Sequence, residues 1–240
     1  MKELLKHILS LLHISITRNQ RYDARTRQIL ARVLTADSVC VDIGCHKGEI
    51  MDLMLHHAPM GRKFGFEPLP PFFRQLVEKY RHHDNVEISP LALYHENGET
   101  TFQYVVNDPA YSGIKKRRYD SSRVEISEIK VQTARLDEVL PPGLKPDLIK
   151  IDVEGAEYRV LLGAGKLLKN ARPIVIFEFG IGAADYYGAD ADQLFNYLTG
   201  DCGLKINTLK GFLKKRPSLN ALKFREFFTT GREYYFIAYP

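Results

Sequence analysis

Cysteine is scarce in this 240-residue chain. Cys40, Cys45 and Cys202 are odd in number and show no CxxC spacing. A disulfide framework is therefore not expected, and the three read as reduced thiols of a cytoplasmic compartment. No run of 18 apolar residues occurs, so no membrane-spanning helix is expected. A secretory leader is not expected either, because His7 and His13 interrupt the first apolar stretch and no small-residue cleavage site follows. Internal repeats and low-complexity segments are absent from the sequence. What is present suits a globular chain with a sizeable core: 45% hydrophobic and 26% charged residues. The net charge of +5 permits an acidic partner without requiring one. Its sharpest cluster, Lys115-Lys-Arg-Arg118, reads first as a solvated loop, with a phosphate-bearing substrate or nucleic acid as the minority reading.

The stretch Val39-Cys-Val-Asp-Ile-Gly-Cys-His-Lys-Gly48 organises the rest. Val39, Val41 and Ile43 alternate as in a strand, and Ile50, Met51, Met54, Leu55 and Ala58 then recur at helical spacing. Strand, glycine turn and helix frame a nucleotide-type site. Gly44 permits a tight turn and close approach to a ligand, and the first N–H groups of the helix lack partners within it. The pattern is DxGxxxG, not GxGxxG. Asp42 stands where a dinucleotide fold has a glycine, and its carboxylate would repel a pyrophosphate. It suits a ligand with amine and cationic groups, such as S-adenosylmethionine. Cys45 lies in the same turn, close to such a ligand, where a small space-filling role also fits.

The flanking chain reads as a doubly wound α/β domain. Residues 1 to about 17 form an amphipathic pattern through Leu4, Leu5, Ile8, Leu11 and Leu12, read as a helical cap, with peripheral contact to an anionic membrane surface through residues 1–17 as the alternative. Arg21–Leu34 continues a helical segment with a basic face. We divide the chain into an N-terminal helical segment, 1–35, and a main domain, 36–240. Phe64-Gly-Phe66 is a short strand ending in Glu67, at about the 20-residue offset at which an acid meets ribose hydroxyls. A third strand, Val86–Ile88, leads to Leu91 and Ala92, which fit an adenine face and the core equally well. Asn97-Gly98, Thr100–Val106 and Val124–Thr133 then predict a β-rich insert near the ligand end of the sheet. Within it Tyr111 and Ser112 are candidates for lining a substrate pocket.

A second motif follows: Asp147-Leu-Ile-Lys-Ile-Asp152-Val-Glu154-Gly155-Ala-Glu157. An apolar strand delivers Asp152 and Glu154 at its C-terminal end, where ligands sit in open α/β sheets. A helix is expected from about Ala156 to Leu168, with Glu157 as a stabilising first-turn acid. Pro173–Phe179 is a further buried strand carrying Glu178 at its end. Leu204–Leu209 and Glu233–Tyr239 are the last two strands.

These motifs together, Val41-Asp-Ile-Gly44-x3-Gly48, Phe66-Glu-Pro68, Lys150-Ile-Asp-Val-Glu-Gly-Ala-Glu157 and the strand ending in Glu178, resemble the FkbM family of S-adenosylmethionine-dependent methyltransferases. The resemblance covers roughly residues 35 to 180. It implies a seven-stranded, mostly parallel, Rossmann-like class I methyltransferase sheet and methyl transfer to a hydroxyl of a sugar, glycan or secondary metabolite. Carried over by position, Asp42, Gly44 and Gly48 border the methionine part of the cofactor, Glu67 binds the ribose, and Asp152 lies near the reacting end. Cys45-His46-Lys47 departs from the small or aromatic residues often found there.

A sugar hydroxyl is a weak nucleophile that needs a base or a metal. Asp152, Glu178 and Glu154 are the catalytic candidates, and Asp42, Gly44, Cys45, Gly48, Glu67, Leu91, Ala92 and Asp152 the cofactor-binding ones. Two carboxylates could hold Mg²⁺, but no third ligand is evident and the metal-free reading is preferred. Three rivals remain: a nicotinamide dehydrogenase, disfavoured by Asp42; a nucleic-acid methyltransferase, which lacks an Asn-Pro-Pro-Tyr-type motif and a stacking platform; and a non-catalytic protein that keeps the fold.

Overall fold

A computed structural model describes residues 17–119 and 123–240. The amphipathic stretch at 1–16 lies outside the described residues. Helix α1 (Arg18–Val33) opens with a capping box: Thr17 Oγ1 accepts from Gln20 N, and the Gln20 side chain accepts from Thr17 N. Its buried face, Tyr22, Thr26, Ile29 and Leu30, repeats at helical spacing. That face packs with Cys40, Leu148 and Ile237 in one apolar cluster. The helix thus shares a core with the sheet, across the division placed at residue 35.

The sheet has seven strands. β1 (Cys40–Ile43), β2 (Lys63–Phe66) and β3 (Val86–Ser89) alternate with α2 (Glu49–His57) and α3 (Pro70–Tyr80). After the insert come β7 (Leu148–Ile151), two short helices, and β8 (Ile174–Glu178); β9 (Lys205–Thr208) and β10 (Tyr235–Tyr239) end the chain. The strand order is β3-β2-β1-β7-β8-β10-β9. All neighbours run parallel except β10, which is antiparallel to β8 and β9. This is the expected seven-stranded, mostly parallel α/β sheet. β1 and β7 are buried at every position, as a strand with helices on both faces requires. Chain order reverses between β1 and β7, which makes their C-terminal ends the switch point where ligands bind.

The insert builds a second sheet in the order β4-β6-β5, from Leu91–Leu93 (β4), Gly98–Val105 (β5) and Ile126–Ala134 (β6). β5 and β6 form a long antiparallel ribbon, while β4 runs parallel to β6. Leu91 and Ala92 are therefore strand residues of the insert. The single helix expected from Ala156 to Leu168 is broken in two at Ala164, into Glu157–Gly163 and Gly165–Ala171. Gly163 lies against the Tyr94 carbonyl there, a close approach that only a residue without Cβ allows.

The glycine turn after β1 is set by packing within the protein. Gly44 has φ +79, and a Cβ on it would fall on the carbonyl oxygen of Asp152. Gly48 has φ +78 and abuts the Tyr80 hydroxyl and Leu76; Tyr80 Oη donates to Gly48 O at 2.9 Å. Gly44→Ala combines left-handed strain with backbone overpacking and is expected to cost on the order of 2–5 kcal/mol. Urea denaturation checks this; unchanged stability would show that β1 and β7 can separate at this point without cost.

Candidate active site

A cavity of about 230 Å³ opens at the C-terminal ends of β1, β2 and β7. Asp42, Gly44, Cys45, Glu67, Leu91, Ala92, Asp152 and Glu154, eight of the candidates read from the motifs, line it together. Leu91 and Ala92 thus serve both the insert's sheet and the cavity wall. Two candidates are not on the wall: Gly48 packs on Tyr80, and Glu178 stands behind Asp152. Of the insert pair, Ser112 lines the cavity and its Oγ accepts from Val105 N at 3.0 Å. Tyr111 instead lies under the Arg117 guanidinium, 5.1 Å from its ring centre.

At the β2 end, Glu67 is buried and its two oxygens accept from His46 N (2.8 Å) and Leu69 N (2.9 Å). Those bonds aim the carboxylate, and each oxygen keeps a lone pair for a further donor. Burial pushes the Glu67 carboxyl up to about 7 against the pull of those two N–H groups. His46, in left-handed backbone, lays its ring on Phe72. Cys45 is buried with its thiol on the Asp42 carbonyl, and burial next to Asp42 and Glu67 holds it protonated. It acts as a compact filler of the wall.

At the β1/β7 end, Asp42 is 1% exposed and neither carboxylate oxygen has a hydrogen-bond partner. Burial pushes it up to about 6, with Lys150 pulling the other way. A buried carboxylate without a donor is costly, so its presence in a cavity wall points to a ligand that supplies one. Lys150 reaches in from the middle of β7 and donates to Asp152 Oδ2 at 2.7 Å. Tyr235, on β10, donates its hydroxyl to the same oxygen. Burial alone would raise Asp152; Lys150 and the two hydrogen bonds outweigh it and hold the carboxyl below its ordinary range. Glu178 shares a hydrogen bond with Asp152, and burial beside that anion keeps it protonated. The outcome is one ionised and one neutral carboxyl side by side. Glu157 is also buried and accepts from Val153 N and Gly155 N, which stabilises the turn after β7.

The basic run is not a simple solvated loop. Arg117 is largely buried and pairs with Glu154, whose φ of 58 turns its side chain toward the insert. Lys115 N donates to Tyr187 Oη at 2.8 Å, and Arg118 N donates to Gly182 O at 2.9 Å. The run straps the insert onto the end of the sheet through Arg117 and its backbone, while the side chains of Lys115, Lys116 and Arg118 stay exposed, as a solvated loop would have them. Motif reading missed Lys150, Tyr235 and Arg117 as site residues. A lysine inside an otherwise apolar strand was a usable signal for the first; nothing local marks the other two.

Glu154 corrects the reason for setting a metal aside. Asp152, Glu154 and Glu178 offer oxygens within 4.8 Å of one another, so a third carboxylate is present. Two of the three are engaged within the protein, Asp152 by Lys150 and Tyr235 and Glu154 by Arg117. A hard divalent cation would have to displace those partners. No helix among the described residues is long and apolar enough to cross a membrane.

Similarity to known proteins agrees with this geometry. AMB antimetabolite synthetase AmbE of Pseudomonas aeruginosa is 30% identical over 179 residues, 60% of this chain and 8% of that protein. The 2-O-methyltransferase NoeI of Sinorhizobium fredii is 29% identical over 163 residues, 61% of this chain and 65% of that protein. The chain thus spans under two thirds of either relative. The crystal structure of methyltransferase FkbM from Methylobacillus flagellatus KT superposes with a TM-score of 0.53 at 12% identity, covering 91% of this chain and 59% of that one, a likeness of fold. The methyltransferase FkbM domain matches residues 42–206. That span begins at Asp42 and holds every strand-end acid around the cavity, and the chain belongs to the FkbM methyltransferase family.

Proposed function

We propose that this protein transfers a methyl group from S-adenosylmethionine to a hydroxyl oxygen of a sugar, glycan or other small polyol. The observation that carries the reading is the division of one cavity into two differently built ends. Glu67, aimed by two backbone N–H groups and flanked by Leu91 and Ala92, suits a vicinal diol beside a flat apolar base. Asp42, buried and without a donor, suits the cationic arm. A dinucleotide would place its pyrophosphate against that carboxylate, which argues against a nicotinamide enzyme.

The donor supplies a methyl group on a positively charged sulfur. The protein's part is positioning and proton management. Asp152 sits at the strand end between the cavity and Glu178, ionised at neutral pH. It can accept a hydrogen bond from the acceptor hydroxyl and orient a lone pair of that oxygen toward the methyl group. As the new C–O bond forms, the hydroxyl becomes a far stronger acid than a carboxylic acid. Even a carboxylate held low by Lys150 and Tyr235 then takes the proton. Before that step, neutral Glu178 steadies the Asp152 charge through its hydrogen bond; after it, both carboxyls are neutral. The insert, through Pro109, Ala110, Ser112 and Ile114, closes the far wall and is where acceptor choice would reside.

The 2-O-methyltransferase activity in NoeI's name supports oxygen as the methylated atom. The test is transfer of labelled methyl from S-adenosylmethionine to a panel of neutral glycosides and glycans, alongside RNA. Label on a carbohydrate oxygen is expected; label on RNA alone would replace the reading with a nucleic-acid methyltransferase.

A further inference from the structure

We propose that Asp23, on helix α1, binds the α-ammonium group of the cofactor's amino-acid arm, which makes the N-terminal helix part of the binding site. The inference rests on the S-adenosylmethionine reading above and extends it to a residue outside the family motifs.

Four observations carry it. First, α1 contributes Asp23 and Thr26 to the cavity wall, along with Glu49 and Lys150. Second, the charges that act on Asp23 besides Arg27 are those of Glu49, Lys150 and Asp152. That places it at the β1/β7 end, away from Glu67, Leu91 and Ala92. A ligand whose ribose meets Glu67 directs its amino-acid arm there. Third, this end is rich in carboxylates: Asp23, Asp42, Glu49 and Asp152 stand around the single buried ammonium of Lys150, which is committed to Asp152. Asp42 is 1% exposed and both of its oxygens lack a donor, so the buried part of the wall is short of cationic donors, Lys47 lying at its exposed rim. An ammonium carries three donors that point in different directions, so one carboxylate cannot meet them all. Fourth, Asp23 makes no side-chain hydrogen bond or close ion pair with any described residue and is solvent-exposed at the cavity's edge, so its carboxylate is free to meet a ligand there.

The helix is also fixed in place. Tyr22, adjacent to Asp23, donates to Glu233 at 2.7 Å. Its ring lies 5.0 Å from that of Tyr235, the residue that bonds Asp152. Asp23 is therefore held in register with the reacting end.

Two probes separate the arm from the nucleoside. S-Adenosylhomocysteine carries the amino-acid arm; 5′-methylthioadenosine lacks it. Calorimetric titration of Asp23→Asn should show tenfold or weaker affinity for S-adenosylhomocysteine with 5′-methylthioadenosine binding unchanged. Asp23→Glu should recover most of the loss, and thermal denaturation of both variants should match the parent. Equal weakening for both probes, or no change for either, would overturn the assignment. If Asp23→Asn unfolds, Asp23→Ser decides: a loss confined to S-adenosylhomocysteine supports the carboxylate's role, and unchanged or equally weakened affinity for the two probes overturns it. Failure of the parent protein to bind either probe would instead overturn the cofactor reading, a separate result.

Discussion

Asp152→Asn should lower the rate of methyl transfer by about 10²–10⁴ while leaving cofactor affinity within about tenfold. The side chain keeps its size but loses its charge and its ability to take a proton. Asp152 stands where a strand end, a buried lysine, a tyrosine hydroxyl and a protonated glutamate converge. Those partners orient the side chain whether or not ligand is bound; the variant leaves Lys150 without its counter-charge and should be less stable, so thermal denaturation accompanies the assay. Single-turnover measurement with labelled donor checks the rate, and calorimetry the affinity. Near-parental turnover would show that the proton leaves by another route. A collapse of donor binding with little change in rate would make Asp152 a binding residue.

Lys150→Met should be the most destabilising single change at the site. Lys150 is 6% exposed and holds the charge of Asp152, with Asp42 close enough to feel it. Removing one partner of a buried ion pair costs about 3–5 kcal/mol. The deficit should depend on pH. Asp42's folded value is already raised to about 6, so its ionisation opposes folding as pH rises through that value. Without Lys150 that value rises further, and the penalty at pH 8 grows. At pH 5 Asp42 is mostly protonated in both proteins, and the variant should lose less. Lys150's own value is raised above the ordinary lysine range, so its contribution is fully present below that range and does not vary between pH 5 and 8. Urea denaturation at the two pH values checks the difference. An equal deficit at both would mean that Lys150 acts by packing its stem, not by holding carboxylates.

The strand-turn-helix around Asp42 and the strand ending in Asp152 were legible because each motif joins an apolar strand to residues that turn chemistry and solvent exposure alone do not require. Periodicity also gave the two closing strands, β9 and β10, to within two residues. Pairing within the insert was not legible: β4 has three residues, and only its register with Gln132, Thr133 and Ala134 makes it a strand. The break at Ala164 escaped notice because Gly163 packs on a carbonyl distant in sequence. Arg117 read as one charge in a basic run, since its partner Glu154 lies beyond the whole β6 strand. Asp23 went unmarked on a helix read for its basic face, because nothing local says which face meets the cavity. Groups that meet only across the fold leave no mark in spacing.

Whether the pocket takes a sulfonium donor is the question on which the rest stands. Titration calorimetry of the purified protein with S-adenosylmethionine, S-adenosylhomocysteine and NAD decides it most directly. Saturable binding of both adenosyl compounds, with a dissociation constant in roughly the micromolar range and no heat from NAD, is the predicted result. Binding of NAD in preference to either adenosyl compound, or silence toward both at millimolar concentration, would contradict it.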